Sequence, residues 1–342
     1  MTQKSLILFA FATLTPAILI ALGALFGGWW VIAAIGFLTA LTASLDELVL
    51  RVTTPVAATE FHASDWLCLT LGVQHFALLM IIVSALAGSG FVFWEKALLF
   101  SAAGLFFGQV SNSNAHELIH RGNRLLHRFG MWIYISLMFG HHTSAHVLVH
   151  HKHVATRRDP NTARLGESFY RFAARAWKGS FRAGYRAEAA RLAQIGRPAY
   201  HNPYLIYIAG AAMFVVAAGV IGGSKGVVAY LALISFAQTQ LMMSDYVQHY
   251  GLSRVILPDG KLEIVGDRHS WNSPHWFSSA LMLNAPRHSA HHAHPGRSFA
   301  ALHIPSDGPM LPRSLPVMAC VALYPKLWRK SMDKRARQWV TN

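Results

Sequence analysis

Long apolar runs, each ended by glycines or a polar connection, set the architecture of this chain. Residues 6–26 carry no charge, Gly27-Gly28 interrupts them, and residues 29–45 resume the run. As helices, both are about long enough to cross a hydrocarbon core of roughly 30 Å. Trp29 and Trp30 stand at the break, where interfacial aromatics belong. Lys4 is a thin basic start and the second run follows at once, which predicts a retained helical hairpin and not a cleaved signal peptide. A polar connection at 46–65 leads to apolar runs at 66–86 and 91–110, separated by Gly88-Ser89-Gly90, with Glu95 and Lys96 expected at an interface. The helical period continues through 112–120, which extends this fourth helix beyond the lipid. Runs at 204–221 and 227–244, joined by a tight turn, predict spans five and six.

Between and after the spans the pattern changes. Residues 131–139 are apolar but too short to span, and read as an interfacial or buried helix. Residues 169–192 mix arginine with aromatics, which fits a helix lying on a membrane surface as well as one packed on the domain and solvated outside. No repeat or low-complexity linker appears. The expected fold is all-α: one polytopic integral membrane domain over residues 1–342, with six spans and a histidine-rich cap built from 111–203 and 245–342.

Composition supports that picture. Hydrophobic residues make up 53% of the 342 and charged residues 13%, about half the usual share of roughly 25%, so part of the outside is expected to face lipid. The formal charge is +15, but its distribution argues against a nucleic-acid partner. Fourteen of the 30 Lys and Arg lie between Arg121 and Arg197, and 12 between Arg254 and Arg337. Six spans put both segments and both termini on one side, which the positive-inside tendency makes cytoplasmic. Cys68 and Cys320 form no C-x-x-C pair and no disulfide framework.

All the histidine clusters fall on that basic side. His116 and His120 flank Glu117 as H-E-x-x-H and share a helical face. His146, His150 and His151 follow, with His146 and His150 expected on one face and His151 one position round. His141, His142 and His153 are expected to make hydrogen bonds or stay solvated. His249 lies just past the sixth span, and His288, His291 and His292 form the last cluster. Nine imidazoles exceed the three or four protein ligands of a zinc site. Two metals with four or five nitrogen donors each fit the count, and redox-active iron suits such donors. Carboxylates should accept N–H bonds from ligating rings; Glu117 is placed best, then Asp159 and Asp245.

These motifs resemble the membrane-bound alkane hydroxylase family, within the wider group of fatty-acid desaturases and integral-membrane hydroxylases. The resemblance rests on His116-Glu-Leu-Ile-His120-Arg121, His146-Val-Leu-Val-His150-His151, Tyr246-Val-Gln-His249-Tyr-Gly-Leu252 and Arg287-His-Ser-Ala-His-His-Ala-His-Pro295. It covers about residues 91–303, and the His-Tyr-Gly-Leu element favours the alkane and xylene hydroxylase branch. It implies a non-haem di-iron monooxygenase using O2 and two electrons from a rubredoxin or ferredoxin with its reductase. The implied iron ligands are His116, His120, His146, His150, His151, His249, His288, His291 and His292. The chain departs from the family pattern at Ala145, Asp245, Gln248 and Ala290, which alters acidic groups and removes no ligand. Two cysteines cannot supply four thiolates, so the reductant is expected on a separate chain. The substrate is expected to be a hydrophobic hydrocarbon reaching the metals from membrane lipid by an apolar channel between spans. Rival readings are a fatty-acyl or lipid desaturase with the same irons, an intramembrane zinc protease on His116-Glu117-His120, and a non-catalytic metal transporter or sensor. The zinc protease leaves seven histidines unexplained, and the transporter needs ionisable groups that the spans lack.

Overall fold

Apolar helices turn back on one another at glycines. The computed structural model describes residues 3–49 and 61–340. In it, α1 (Gln3–Phe26) ends at Gly27 and Gly28, with φ of 63° and 56°, a left-handed conformation that costs glycine little. The chain doubles back into α2 (Trp29–Gly36), a π turn at Phe37–Leu41 and α3 (Thr42–Leu48). The two arms touch at the turn, since a Cβ on Gly23 would lie 2.9 Å from Val31 Cγ1. Glu95, in the first turn of α5 (Phe93–Phe106), ties this hairpin to the next one. Its carboxylate accepts from the Gly28 N–H at 2.7 Å and from the Val92 N–H at 3.1 Å. Lys96 donates to the Gly88 carbonyl, at the end of the hairpin made by α4 (Phe61–Ala87) and α5. The polar connection expected at 46–65 falls mostly on residues 50–60, which lie outside the described residues.

The expected fourth span is not one uniform helix. After α5 the backbone widens into a π turn, Phe107–Ser111, and then tightens into α6 (Asn112–Ile119), which carries the helix on toward the first histidines. The expected fifth and sixth spans form α11 (Tyr204–His249), whose backbone leaves the helical region at Gly222 (φ −141°) and Gly223 (φ 59°). A Cβ on Gly226 would stand 2.2 Å from the Ala218 carbonyl oxygen. Residues eight apart along a straight helix are about 12 Å apart, so α11 is a hairpin of two antiparallel arms.

Among the described residues, four helices are long and apolar enough to cross a membrane: Leu6–Phe26, Trp29–Leu48, Ala63–Ala87 and Tyr204–His249. Their outward positions include Ile18, Leu25, Val73, Met80, Val216 and Val220, all exposed. A continuous apolar exterior of this extent suits hydrocarbon and not water, so the protein is built as an integral membrane protein.

The cap is assembled from shorter helices. Asn123 caps α7 (Arg124–Ser136) by accepting from the Leu125 N–H at 2.8 Å. Residues 133–136 of α7 are buried, so the short apolar stretch at 131–139 is internal. Next come α8 (His142–Ala145), a π turn at His146–His150, α9 (His151–His153) and α10 (Phe169–Gln194). Helix α10 buries Phe172, Ala176, Ser180, Gly184 and Glu188 against the domain. The chain closes with α12 (Trp276–Leu281), α13 (His288–Ala293), α14 (Leu315–Ala322) and α15 (Pro325–Val340). Asp46, at the end of the first hairpin, accepts from the Phe277 and Ser278 N–H groups at 2.9 and 3.1 Å and so caps α12 across the whole sequence. No strand occurs among the described residues, only two isolated bridges.

Candidate metal centre

Four segments deliver imidazoles to one place. Along α6, His116 and His120 sit four apart with ring centroids 5.1 Å apart. The second cluster departs from simple helical spacing. Through the π turn the His151 N–H bonds to the His146 carbonyl, five residues back, so the wider winding turns position 151 alongside 146. His151 Nε2 lies 3.0 Å from His146 Nε2. The His146 and His150 rings do lie side by side, 5.1 Å apart, but they serve different groups, and the expectation that the two act together is corrected to that extent: His150 meets His249, at 4.7 Å. That residue ends α11, and α13 brings His288, His291 and His292.

The result is two groups whose ligand atoms all lie within 4.8 Å of one another: His116, His120, His146, His151 and His291, and His150, His249, His288 and His292. Within the first, Nε2 atoms of His116 and His146 are 2.8 Å apart and those of His151 and His291 3.1 Å. Within the second, His249 and His288 are 2.9 Å apart and His288 and His292 3.2 Å. Nitrogens about 2.1 Å from a common metal, at right angles, stand about 3.0 Å from each other. The buried His120 Nε2 and His150 Nε2 have no hydrogen-bond partner, an arrangement that would be costly unless something else binds there. The donors thus fit two metal ions, one per group.

Electrostatics favours the ligand form of the rings. Burial holds His116 down at about 3, and burial with neighbouring histidines holds His120, His146, His151, His288, His291 and His292 well below the ordinary value. These rings are neutral and carry a lone pair. His150 differs: burial works against its proton, but the Asp159 carboxylate outweighs it and raises the pKa. Its Nδ1 donates to Asp159 Oδ2 at 2.8 Å, which aims Nε2 into the group.

The three carboxylates therefore rank differently from the expectation. Asp159 is the one that holds a ring. It also accepts from Thr162 Oγ1 at 2.6 Å and the Asn161 N–H at 3.0 Å. Asp245 acts at one remove, accepting from Asn161 Nδ2 at 2.6 Å. Glu117, placed first by position, points about 100° round the helix from His116. It accepts from Arg121 at 2.9 Å and the Phe299 N–H at 3.0 Å, and burial raises its pKa to about 7. It braces the loop after α13 and orients no ring.

Other histidines separate clearly. His141 Nε2 meets Ser180 Oγ at 3.2 Å, and His153 is half-buried at the end of α9. His142, expected to serve a hydrogen-bonding or solvated role, is buried and stacks on His146 at 4.9 Å. Ala145 is also explained. Helix α10 passes so close that a Cβ on Gly184 would be 3.0 Å from Ala145 Cβ, leaving no room for the larger acid of the resembling family. An acid is nonetheless nearby, since Ser144 Oγ donates to Glu188 of α10 at 2.7 Å.

A cavity of about 90 Å³ touches His116, His146 and His288, and so reaches both groups. It lies between the α5–α6 helix and the second arm of α11, with α14 across it. Its walls are mainly apolar, as expected for a channel between spans, and Gln109, Asn112 and Gln240 add polar groups beside Leu241, Met282 and Leu315. Gln109 Nε2 donates to Gln240 Oε1 at 3.2 Å. Sequence reasoning passed over this pair, although two glutamines inside apolar runs were a readable signal.

The fatty acid desaturase family model matches residues 92–307. Alkane 1-monooxygenase 2 of Pseudomonas aeruginosa is 33% identical over 240 residues, which is 70% of this chain and 64% of that protein. Alkane 1-monooxygenase 1 of Alcanivorax borkumensis is 33% identical over 268 residues, 78% of this chain and 66% of that protein. The xylene/toluene monooxygenase hydroxylase component XylM of Pseudomonas putida is 26% identical over 228 residues, 66% of this chain and 60% of that protein. The chain thus spans just under two thirds of the length of these relatives.

Proposed function

The chain belongs to the fatty acid desaturase family, and from that premise we propose that it is an O2-dependent di-iron monooxygenase that hydroxylates a hydrophobic hydrocarbon. The observation that carries the reading is the convergence of nine imidazoles into groups of five and four. His116, His120, His146, His151 and His291 hold one iron, and His150, His249, His288 and His292 hold the other. The bound metals supply the oxidant that an unactivated C–H bond requires. The overall reaction joins a hydrocarbon, O2, two electrons and two protons to give an alcohol and water. The carbon attacked is a terminal methyl of an alkane or a benzylic methyl, in keeping with the names of the alkane and xylene relatives.

The chain's own residues do the rest. Asp159 fixes the tautomer and aim of His150. The cavity against His116, His146 and His288 would hold the reacting carbon against both histidine groups and limit water there. Two glycine-turned arms of α11 and the α5–α6 helix bring the number of crossings to six, with the histidines on the cytoplasmic side. Electrons come from a rubredoxin or ferredoxin with its reductase. The concentration of Lys and Arg on the histidine side supports an acidic carrier, whose coupling should weaken as salt rises.

The alternative is a fatty-acyl or lipid desaturase or hydroxylase, favoured by the family model and by the amides lining the cavity. One experiment separates the two. Membranes containing the chain, with added iron and a rubredoxin system, are offered octane, dodecane, xylene and a fatty acyl substrate, and products are read by mass spectrometry. Terminal or benzylic alcohols are expected. Alkenes or mid-chain products from the acyl substrate alone would move the assignment to the desaturase reading.

A further inference from the structure

We infer that α10 lies in the plane of the membrane surface and binds the headgroups of anionic lipids through Arg171, Lys178, Arg182 and Arg186. Three stripes run along this helix. One, already described, is buried against the histidine segment. The second, at positions 170, 174, 177, 181 and 185, is Tyr-Ala-Trp-Phe-Tyr, spaced i, i+4, i+7, i+11, i+15. Three of these aromatics face outward, with Tyr170 57%, Trp177 39% and Tyr185 48% exposed. The third stripe follows one position later, about 100° round: Arg171, Arg175, Lys178, Arg182 and Arg186. Arg175 is taken up by a two-pronged pair with Glu167 at 3.0 and 2.8 Å. The other four are exposed, and no ion pair engages them among the described residues.

An aromatic stripe beside a basic stripe is what a helix half-sunk in an interface presents, with rings at the acyl boundary and cations at the phosphates. Two hydrogen bonds set the depth independently of that pattern. Trp177 Nε1 donates to Gln238 Oε1 at 3.0 Å, just before the second arm of α11 becomes mostly buried from Leu241 onward. Tyr204, the first residue of the opposite arm, donates its hydroxyl to the Phe181 carbonyl at 3.0 Å. Both contacts hold the aromatic stripe at the level where the α11 arms leave the hydrocarbon. The exposed apolar surface also continues past α10. Tyr170 donates to the Leu323 carbonyl at 2.9 Å, and Leu323, Tyr324 and Leu327 are exposed beside it. A soluble acidic protein would match the cations but would leave the adjoining aromatic band without a partner, whereas an anionic lipid satisfies both.

The inference rests on the chain being inserted in a bilayer, and resistance to carbonate extraction of the reconstituted protein checks that separately. The test uses the full chain in phosphatidylcholine vesicles with a fraction of phosphatidylglycerol, one of the two lipids carrying bromines near the headgroup end of its acyl chains. The quenching lost on going from wild type to W177F reports lipid at Trp177. It is expected to be stronger with brominated phosphatidylglycerol than with brominated phosphatidylcholine at the same mole fraction. Replacing Arg171, Lys178, Arg182 and Arg186 by Gln should weaken the preference by on the order of tenfold, and inorganic phosphate at fixed ionic strength should not displace the lipid. Equal quenching by the two lipids would overturn the inference, and so would quenching that W177F leaves unchanged or displacement by phosphate. So would an equal loss of preference when Lys326, Lys330, Lys334 and Arg335 of α15 are changed instead, since bulk surface charge would then suffice. All eight cations are exposed, and circular dichroism verifies that the variants remain folded.

Discussion

Replacing Asp159 should loosen one metal and spare the other. The carboxylate is 2% exposed and accepts three bonds, from His150 Nδ1, Thr162 Oγ1 and the Asn161 N–H. In D159N the side-chain amide keeps the shape, but it puts an NH2 where one of those donors expects an oxygen and removes the charge that orients His150. Losing such a carboxylate–imidazole contact typically lowers metal affinity 10–100-fold, which is about 1.4–2.7 kcal/mol. D159A is harsher. It leaves three buried donors, each costing about 1–3 kcal/mol if unmet, and after partial relaxation a loss of about 3–5 kcal/mol is expected. The assay is a graded chelator titration of the iron-loaded chain, following iron content and thermal midpoint. In D159N one iron should leave at 10–100-fold lower chelator while the second leaves as in wild type. E117Q is the comparator, because Glu117 touches Arg121 and Phe299 and no ring; it should lower the midpoint without loosening either iron. Equal loosening of both irons in D159N, or an E117Q that releases iron as readily, would refute the assignment of Asp159 as the carboxylate that aims a ligand.

Three further outcomes are expected. His291→Ala and His292→Ala, though adjacent, should each leave about one iron per chain but from different groups, so the double variant should retain almost none; identical iron spectra for the two single variants would count against two groups. Gly184→Val should destabilise the chain by about 1–3 kcal/mol through overpacking, because its Cβ would lie 2.3 Å from the Tyr204 hydroxyl. Adding Tyr204→Phe should recover part of that loss in thermal unfolding, and strict additivity would sink the argument. For Glu167, burial alone would raise the carboxyl pKa, but the hydrogen bonds from Arg175 and the Arg164 N–H outweigh it and hold the pKa below its ordinary value. A depressed native value contributes stability that is present above the unfolded value of about 4.3 and is lost as pH falls through the native one. Unfolding of Glu167→Gln should therefore depend less steeply on pH below about 4 than wild type, and an unchanged slope would argue against the pair.

Much of this molecule can be read from its residues because the signals are local. Gly27-Gly28 and Gly222-Gly223 announce their turns in sequence, and the structure places the bends there. Three of the histidine clusters stand out by residue type and spacing, whereas the lone His249 joined them through the family resemblance and not through its spacing. What stayed hidden depends on winding and on distant partners. Nothing in His-Val-Leu-Val-His-His announces an i to i+5 bond, so the π turn that sends His150 to one group and His151 to the other could not be read from helical spacing. The role of Glu117 is set by Phe299, 182 residues away, and no local rule ranks it below Asp159. For residues 169–192 the pattern left two readings, a helix lying on a membrane surface and a solvated helix packed on the domain; the structure shows the helix packed along one stripe, with aromatics and cations exposed along the others.

The cap of α12 by Asp46 joins residues 231 positions apart, and His291 meets His151 across 140. A chain made from its N-terminus presents His116 and His120 long before α13 has been synthesised. Throughout that interval the first imidazoles form an incomplete set, which divalent copper or zinc would fill more avidly than ferrous iron. For a chain that takes iron as proposed, correct metallation would then be a matter of timing: the C-terminal third of the polypeptide must close over the pair before a stronger competitor settles there.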